Sequence, residues 1–202
     1  MKLLLVSDIH LRLTAPENRI DNFFDSQFSK VTEVLEIAKQ HKCSYVLQAG
    51  DLWDNPNPSK FLMSIYIRLL NSYRTRSDPA NFLTVFGQHD LYFRNFTSAN
   101  KTPTALLESA EALSIVGLDK KPAFLGSGVY VHGVSYEQDY KPVVIPGAFN
   151  ILLMHAHVGD RPLYPGHVLA SPRACLDMYA DMDLIVVGDY HYTFQANKGD
   201  RH

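Results

Sequence analysis

The stretch Tyr45-Val46-Leu47-Gln48-Ala49-Gly50-Asp51-Leu52-Trp53-Asp54 constrains the fold more than any other part of the chain. A run of strand formers stops at Gly50, and two carboxylates follow at once. A buried parallel strand delivers an acid to the open edge of an α/β sheet in this way, at the edge where ligands bind. The same grammar recurs along the chain, giving Asp8/His10, Asp51/Asp54, Gln88/His89, His155/His157 and Asp189/His191, each after a short apolar run. A parallel or mixed sheet would bring all five clusters to one edge.

At 202 residues the chain fits one domain with a sizeable core, so residues 1–202 are read as a single domain. A hydrophobic fraction of 46% and a charged fraction of 20% place it among soluble globular proteins. The net charge of -2 neither requires nor excludes nucleic acid, because bound metals supply positive field locally. Cys43 and Cys175 are too few for a disulfide scaffold, and two reduced thiols suit an intracellular protein. No apolar run is long enough for a membrane span, and residues 1–6 are too short for a signal peptide. A cytoplasmic location is the expectation.

Strands are predicted over residues 2–7, 43–49, 82–86, 114–117, 129–134, 150–154 and 184–187. Phe28, Val31, Val34, Leu35 and Ala38 recur at helical spacing, which predicts a helix over 27–41 after a polar loop. Ser59 caps a second helix running to about residue 73, residues 104–113 form a short third, and Ser171 caps a fourth through 179. Residues 91–101 read as a loop, and Trp53 as packing beneath the site. Residues 198–202 read as a turn with no strand after it, the mark of a fragment cut from a longer protein.

Carboxylates, imidazoles and an amide oxygen converging at one edge suit a pair of divalent metals. A central carboxylate such as Asp51 has two oxygens with which to bridge the ions. Paired ions clamp a phosphate and acidify a water between them, which is phosphoester hydrolysis chemistry.

Asp8-x-His10, Gly50-Asp51-x-x-Asp54, Gly87-Gln88-His89-Asp90, His155 and Gly188-Asp189-x-His191 resemble, in order, the motifs of the calcineurin-like metallophosphoesterases. Within that superfamily, Leu4-x-x-Ser7-Asp8-Ile9-His10, Gly50-Asp51-Leu52-Trp53 followed by Pro58-Ser59, and Ile151-Leu152-Leu153-Met154-His155 resemble the SbcD/Mre-eleven DNA-repair nucleases. The resemblance implies an α/β fold with central mixed β-sheets, a sandwich, flanked by helices. It implies that Asp8, His10, Asp51 and His191 hold one Mn2+, and that Asp51, Gln88, His155 and Asp189 hold the other. His89 would then protonate the leaving oxygen or steady the transition state, with Asp90 orienting its ring. It further implies DNA as substrate in repair or recombination, an SMC-like ABC ATPase partner of the SbcC type, homodimerisation, and a nucleoid-associated location.

The chain departs from the family pattern twice. Gln88 stands where Asn is usual, and Asp189 where His is usual. The resulting ligand set is harder and favours Mn2+ or Mg2+ over Zn2+. Asp54 is either a further ligand or an Asx-turn before Asn55-Pro56, and His157 either joins the centre or stays out of it. The aromatics of residues 91–96 either form a nucleic-acid surface with Arg94 or pack on the domain, and packing is the expectation. His132 is expected to be a plain core or surface histidine, while Arg161 and Arg173 are expected to be solvated. Two rivals stand beside the nuclease reading: a phosphoesterase of the same fold acting on a small nucleotide or other phosphoester, and a catalytically weak module binding DNA or a partner.

Overall fold

The computed structural model describes residues 1–74, 80–162 and 169–197. The turn expected at 198–202 and the middle of the loop before Ser171 lie outside the described residues.

Two four-stranded sheets form the centre. The first is wholly parallel, with β1 (Leu3–Val6), β2 (Tyr45–Gln48), β3 (Asn81–Thr84) and β4 (Ser114–Ile115) side by side in sequence order. The second holds β5 (Ala123–Gly126), β6 (Val129–Val134), β7 (Phe149–His155) and β8 (Leu184–Gly188). There β5 runs antiparallel to β6, and the rest are parallel.

Side chains alternate along each strand, yet both faces are apolar because both are covered. Leu47 and Leu83 from the first sheet meet Val131, Ile151 and Leu153 from the second, forming the layer between the sheets. The alternate residues Val46 and Phe82 face a separate cluster with α1 (Phe23–Gln40), α2 (Lys60–Arg74) and α3 (Pro103–Ser109). On the far side, Leu152 and Met154 pack on Cys175 of α4 (Pro172–Met178). Strands buried on both faces read as the continuous apolar runs seen in the sequence. The fold is therefore the expected α/β sandwich flanked by helices.

The expected caps are in place: the Ser59 and Ser171 hydroxyls accept from the Leu62 and Ala174 N–H groups, each at 3.1 Å. Four details differ from the sequence expectation, one being that the third helix ends at Ser109 instead of residue 113. The first helix begins at Phe23 instead of residue 27, because the Asn22 side chain accepts from the Asp25 N–H and Phe23 is buried. The strand β5 was not expected. It pairs with β6 across Ser127 and Gly128, whose φ values of 51° and 73° suit a two-residue hairpin turn. The loop over 91–101 is organised into 3₁₀ turns. His132 is a core residue, with Nε2 2.9 Å from the Asn150 side-chain oxygen. Arg173 pairs with Asp177 at the surface, and Arg161 lies over the Tyr192 ring. Among the described residues no helix is long and apolar enough to cross a membrane.

Trp53 is fully buried and meets Tyr66 of α2 edge to face at 6.3 Å, so the loop carrying Asp51 rests on the helical layer. The Tyr66 hydroxyl is buried there without a hydrogen-bond partner. Burying an unpaired hydroxyl costs about 1–3 kcal/mol. Tyr66→Phe is therefore expected to raise the unfolding free energy by about 1 kcal/mol, seen as a higher urea midpoint at unchanged slope.

Candidate metal centre

The parallel strands β1, β2, β3, β7 and β8 all end at one edge, and the five clusters meet there. The geometry starts with the loop after β2. Buried Gln48 folds its side chain over this turn, accepting from the Gly50 N–H at 3.1 Å and donating to the Gly50 carbonyl at 2.5 Å. The loop after β1 then zips against it, through Asp8 N–H to Gly50 O at 3.2 Å, His10 N–H to Asp51 O at 3.0 Å and Leu11 N–H to Leu52 O at 2.8 Å. Asp8, His10, Asp51 and Asp189 all sit at positive φ, between 48° and 93°. Non-glycine residues adopt that backbone when the surroundings force it, and such strain collects at functional sites.

Glycines let the loops close to this degree. A Cβ on Gly87 would lie 2.1 Å from Asp51 Oδ1, one on Gly50 2.4 Å from the His155 ring, and one on Gly188 2.0 Å from the Ala49 carbonyl.

Asp51 lies at the middle. Its Oδ1 accepts from the His89 backbone N–H at 2.8 Å, whereas its Oδ2 is buried with no hydrogen-bond partner. Around that oxygen stand His155 Nε2 at 3.4 Å and His10 Nε2 at 3.8 Å. On one side, His10 Nε2 is 3.4 Å from His191 Nε2, which is 3.7 Å from Asp8 Oδ1. On the other, Gln88 spans His155 and Asp189: its Oε1 is 2.8 Å from His155 Nε2, and its Nε2 donates to Asp189 Oδ1 at 2.6 Å. The ligand atoms of Asp8, His10 and His191, those of His10, Asp51 and His89, and those of Asp8, Asp51 and His155 lie close enough together to hold an ion. The sequence-predicted set of Asp8, His10, Asp51, Gln88, His155, Asp189 and His191 is thus brought together around Asp51, with His89, expected to stay out of the ligand set, also within reach. An orphaned buried carboxylate oxygen among imidazole-nitrogen and oxygen donors fits divalent cations.

Backbone carbonyls orient the imidazoles. His155 Nδ1 is 2.7 Å from the Ala49 carbonyl, and His89 Nδ1 is 2.8 Å from the Asp54 carbonyl. A carbonyl must accept, so each Nδ1 carries the proton and Nε2 faces the centre. The His89 ring stands edge-on to His10, centroids 5.0 Å apart.

Burial alone would raise the Asp51 carboxyl, but the nearby His155 imidazole and the His89 N–H outweigh it and hold its pKa below the ordinary value. Burial likewise would lower His155, but Asp51 overrides it and lifts the imidazole to about 9. His10 goes the other way, lowered chiefly by burial.

Two expected residues sit elsewhere. Asp90 does not orient the His89 ring: its buried carboxylate accepts from Trp53 N–H at 3.0 Å and Gly87 N–H at 2.8 Å. It braces the loops after β2 and β3 from below. The Asp54 side chain also stays out of the centre, paired with Arg12 at 3.1 Å, while its carbonyl takes the part expected of Asp90. His157 joins the centre's rim, with Nδ1 2.5 Å from Asp189 Oδ2. Sequence reasoning missed Tyr136, whose ring is 5.8 Å from His157 and 6.4 Å from His155. It too follows an apolar strand, β6, and that position was its only signal.

The model of one protein family, the calcineurin-like phosphoesterases, matches residues 1–193.

Two outcomes test the centre. Asp51→Asn removes the central charge and is expected to weaken divalent-cation binding by more than the roughly 10–100-fold loss typical of an outer-shell partner, as read by titration calorimetry. The second concerns pH. Burial, with the neighbouring Asp51 charge, pushes the Asp90 carboxyl up to about 7. The folded protein therefore holds a proton that the unfolded chain has released, so stability present below about pH 4 is lost as pH rises through about 7. His155 acts in the same sense only higher, between its ordinary value of 6.5 and about 9. In chelator, between pH 4 and 6.5 the stability of Asp90→Asn, read from urea midpoints, should rise relative to the wild type with increasing pH, by on the order of 1 kcal/mol or more, since the rise contributed by His10, lowered by burial, is common to both proteins.

Proposed function

The chain belongs to the calcineurin-like phosphoesterase family, whose members hydrolyse phosphoesters with divalent metal ions, and on that premise we propose that it is a DNA exo/endonuclease of the SbcD type with two Mn2+ ions. Asp8, His10, Asp51 and His191 would hold one ion, and Asp51, Gln88, His155 and Asp189 the other. Bound there, the ions supply positive charge to the phosphate and acidify water. The protein's own contribution is to fix donors at the strand ends, so that little reorganisation is needed when charge develops.

The observation that carries the diester reading is the placement of His89. A sugar alkoxide is a poor leaving group and needs a proton as it departs. His89 stands beside His10 with Nδ1 tied to the Asp54 carbonyl, so Nε2 is presented at the centre in a fixed orientation. The centre is closed around Asp51 and His155 and open towards His191, whose side chain is 59% exposed, which leaves room for a polymer to approach. What supports DNA among diesters is the likeness of the three SbcD-type segments. The same reading makes an SMC-like ATPase and a second copy of the chain its partners.

One observation favours the small-substrate alternative. A groove of about 610 Å³, lined by Leu5, Tyr190 and Phe194, opens beside Asp8 and His191 and is wide enough for a nucleotide.

Incubation of end-labelled linear double-stranded DNA with Mn2+, Mg2+ or EDTA separates these readings. Cleavage is expected with Mn2+ and absent in EDTA, and His89→Ala is expected to lower the rate by about 10²–10⁴-fold. Hydrolysis of a small diester by the wild type with no cleavage of DNA would replace the nuclease reading with the small-substrate one.

A further inference from the structure

Downstream of His89 the chain makes a tight turn that ordinary packing does not explain. Phe93 and Arg94 are consecutive non-glycine residues at φ 55°. Such backbone is strained for a bulky side chain and persists where the surroundings fix it. Yet the Phe93 side chain itself is 98% exposed. Its neighbours are anchored: Leu91 is buried, and Phe96 packs edge to face on Phe86. The packing expected for this loop therefore holds for Leu91 and Phe96 and fails for Phe93.

Several hydrogen bonds hold the turn. The Ser98 hydroxyl accepts from Tyr92 N–H at 3.0 Å and donates to the Asn95 carbonyl at 2.7 Å. Arg94 and Asn95 donate back to the Leu91 and Tyr92 carbonyls at 3.3 and 3.1 Å. The aromatic ring is thus held out in water by a braced turn, at a cost in both strain and apolar exposure.

The turn also lies beside the centre. Phe93 lies four positions beyond His89, so their Cα atoms are at most about 14 Å apart. Tyr136 packs in the same apolar cluster as Leu91 and Phe96, and its ring centroid is 6.4 Å from that of His155 and 5.8 Å from that of His157. An aromatic face and a guanidinium next to a phosphate-handling centre are the two elements of a single-strand binding surface, one stacking a base and the other meeting a backbone phosphate.

We propose that Phe93 stacks a nucleobase adjacent to the scissile phosphate and that Arg94 holds the neighbouring phosphate, making the pair the determinant of preference for a DNA strand over a small diester. This rests on the nuclease reading above. Pre-ordering the ring avoids the entropy of fixing a mobile side chain on binding.

The test is cleavage of a single-stranded oligonucleotide and of bis(p-nitrophenyl) phosphate by the wild type, Phe93→Ala, Phe93→Trp and Arg94→Ala. Phe93→Ala is expected to lower kcat/KM for the oligonucleotide relative to the small diester by about 5–100-fold, the span of base–aromatic stacking, mainly through KM. Phe93→Trp should restore it, and the new indole should be quenched by the oligonucleotide and not by an abasic one; Trp53 is fully buried and gives a separate background. Arg94→Ala should lower the same ratio and flatten its salt dependence. A wild type that cleaves the oligonucleotide, with Phe93→Ala within twofold of it, overturns the assignment and leaves the nuclease reading standing. A loss in Phe93→Ala that tryptophan does not restore assigns the ring a structural role and overturns it as well. A wild type that hydrolyses only the small diester removes both.

Discussion

The edge of the sheets is organised around one atom. Asp51 Oδ2 is buried, negatively charged when ionised, and without a hydrogen bond among the described residues. Leaving a buried charge uncompensated costs several kcal/mol, against a net stability of about 5–15 kcal/mol for a whole domain. The surroundings make sense as the means of bringing positive charge to that atom. His155 and His10 turn their Nε2 atoms towards it, with His155 further fixed by the Ala49 carbonyl. Gly50, Gly87 and Gly188 occupy places where even a Cβ would strike the Asp51 carboxylate, the His155 ring or the Ala49 carbonyl.

Holding this arrangement needs a backbone bent away from its preferences. Asp8, His10, Asp51 and Asp189 lie at positive φ, each at a cost of order 1 kcal/mol. The ladder between the loops after β1 and β2, the Gln48 side chain over Gly50, and the two N–H groups accepted by Asp90 supply hydrogen bonds worth about 1 kcal/mol each. The two sums are similar in size. The edge of the sheets is accordingly a rigid frame that is not itself a source of stability.

Much of this was legible because the signals are local. Strands β1, β2, β3, β6, β7 and β8 announce themselves as apolar runs, since burial on both faces leaves no polar alternation. The ligands follow those runs directly, so chain position alone puts them at one edge. What escaped notice depends on the backbone or on partners distant in sequence. The orientation of His89 comes from the Asp54 carbonyl, and every residue has a carbonyl, so residue type could not single it out. A carboxylate next to the histidine in sequence makes Asp90 the expected orienting group. In the fold its two oxygens are already occupied by Trp53 and Gly87. The short strand β5 is four residues long and partly exposed, too little to stand out from a loop. Phe93 looked like any loop aromatic, and only its exposure and backbone distinguish it.

The two departures from the family pattern become one when distances are considered. Gln88 is a methylene longer than the usual Asn, and Asp189 has a shorter reach than the usual His. The longer amide faces the shorter carboxylate across the same gap, and the two meet at 2.6 Å while Gln88 Oε1 still reaches His155 Nε2 at 2.8 Å. The remaining Asp189 oxygen is met by His157, two residues beyond His155 on the same strand end. Length lost on one side is regained on the other, and the added negative charge has its own partner. Gln88, His157 and Asp189 thus form one continuous row of hydrogen bonds with His155, so the two departures are accommodated by a single local arrangement.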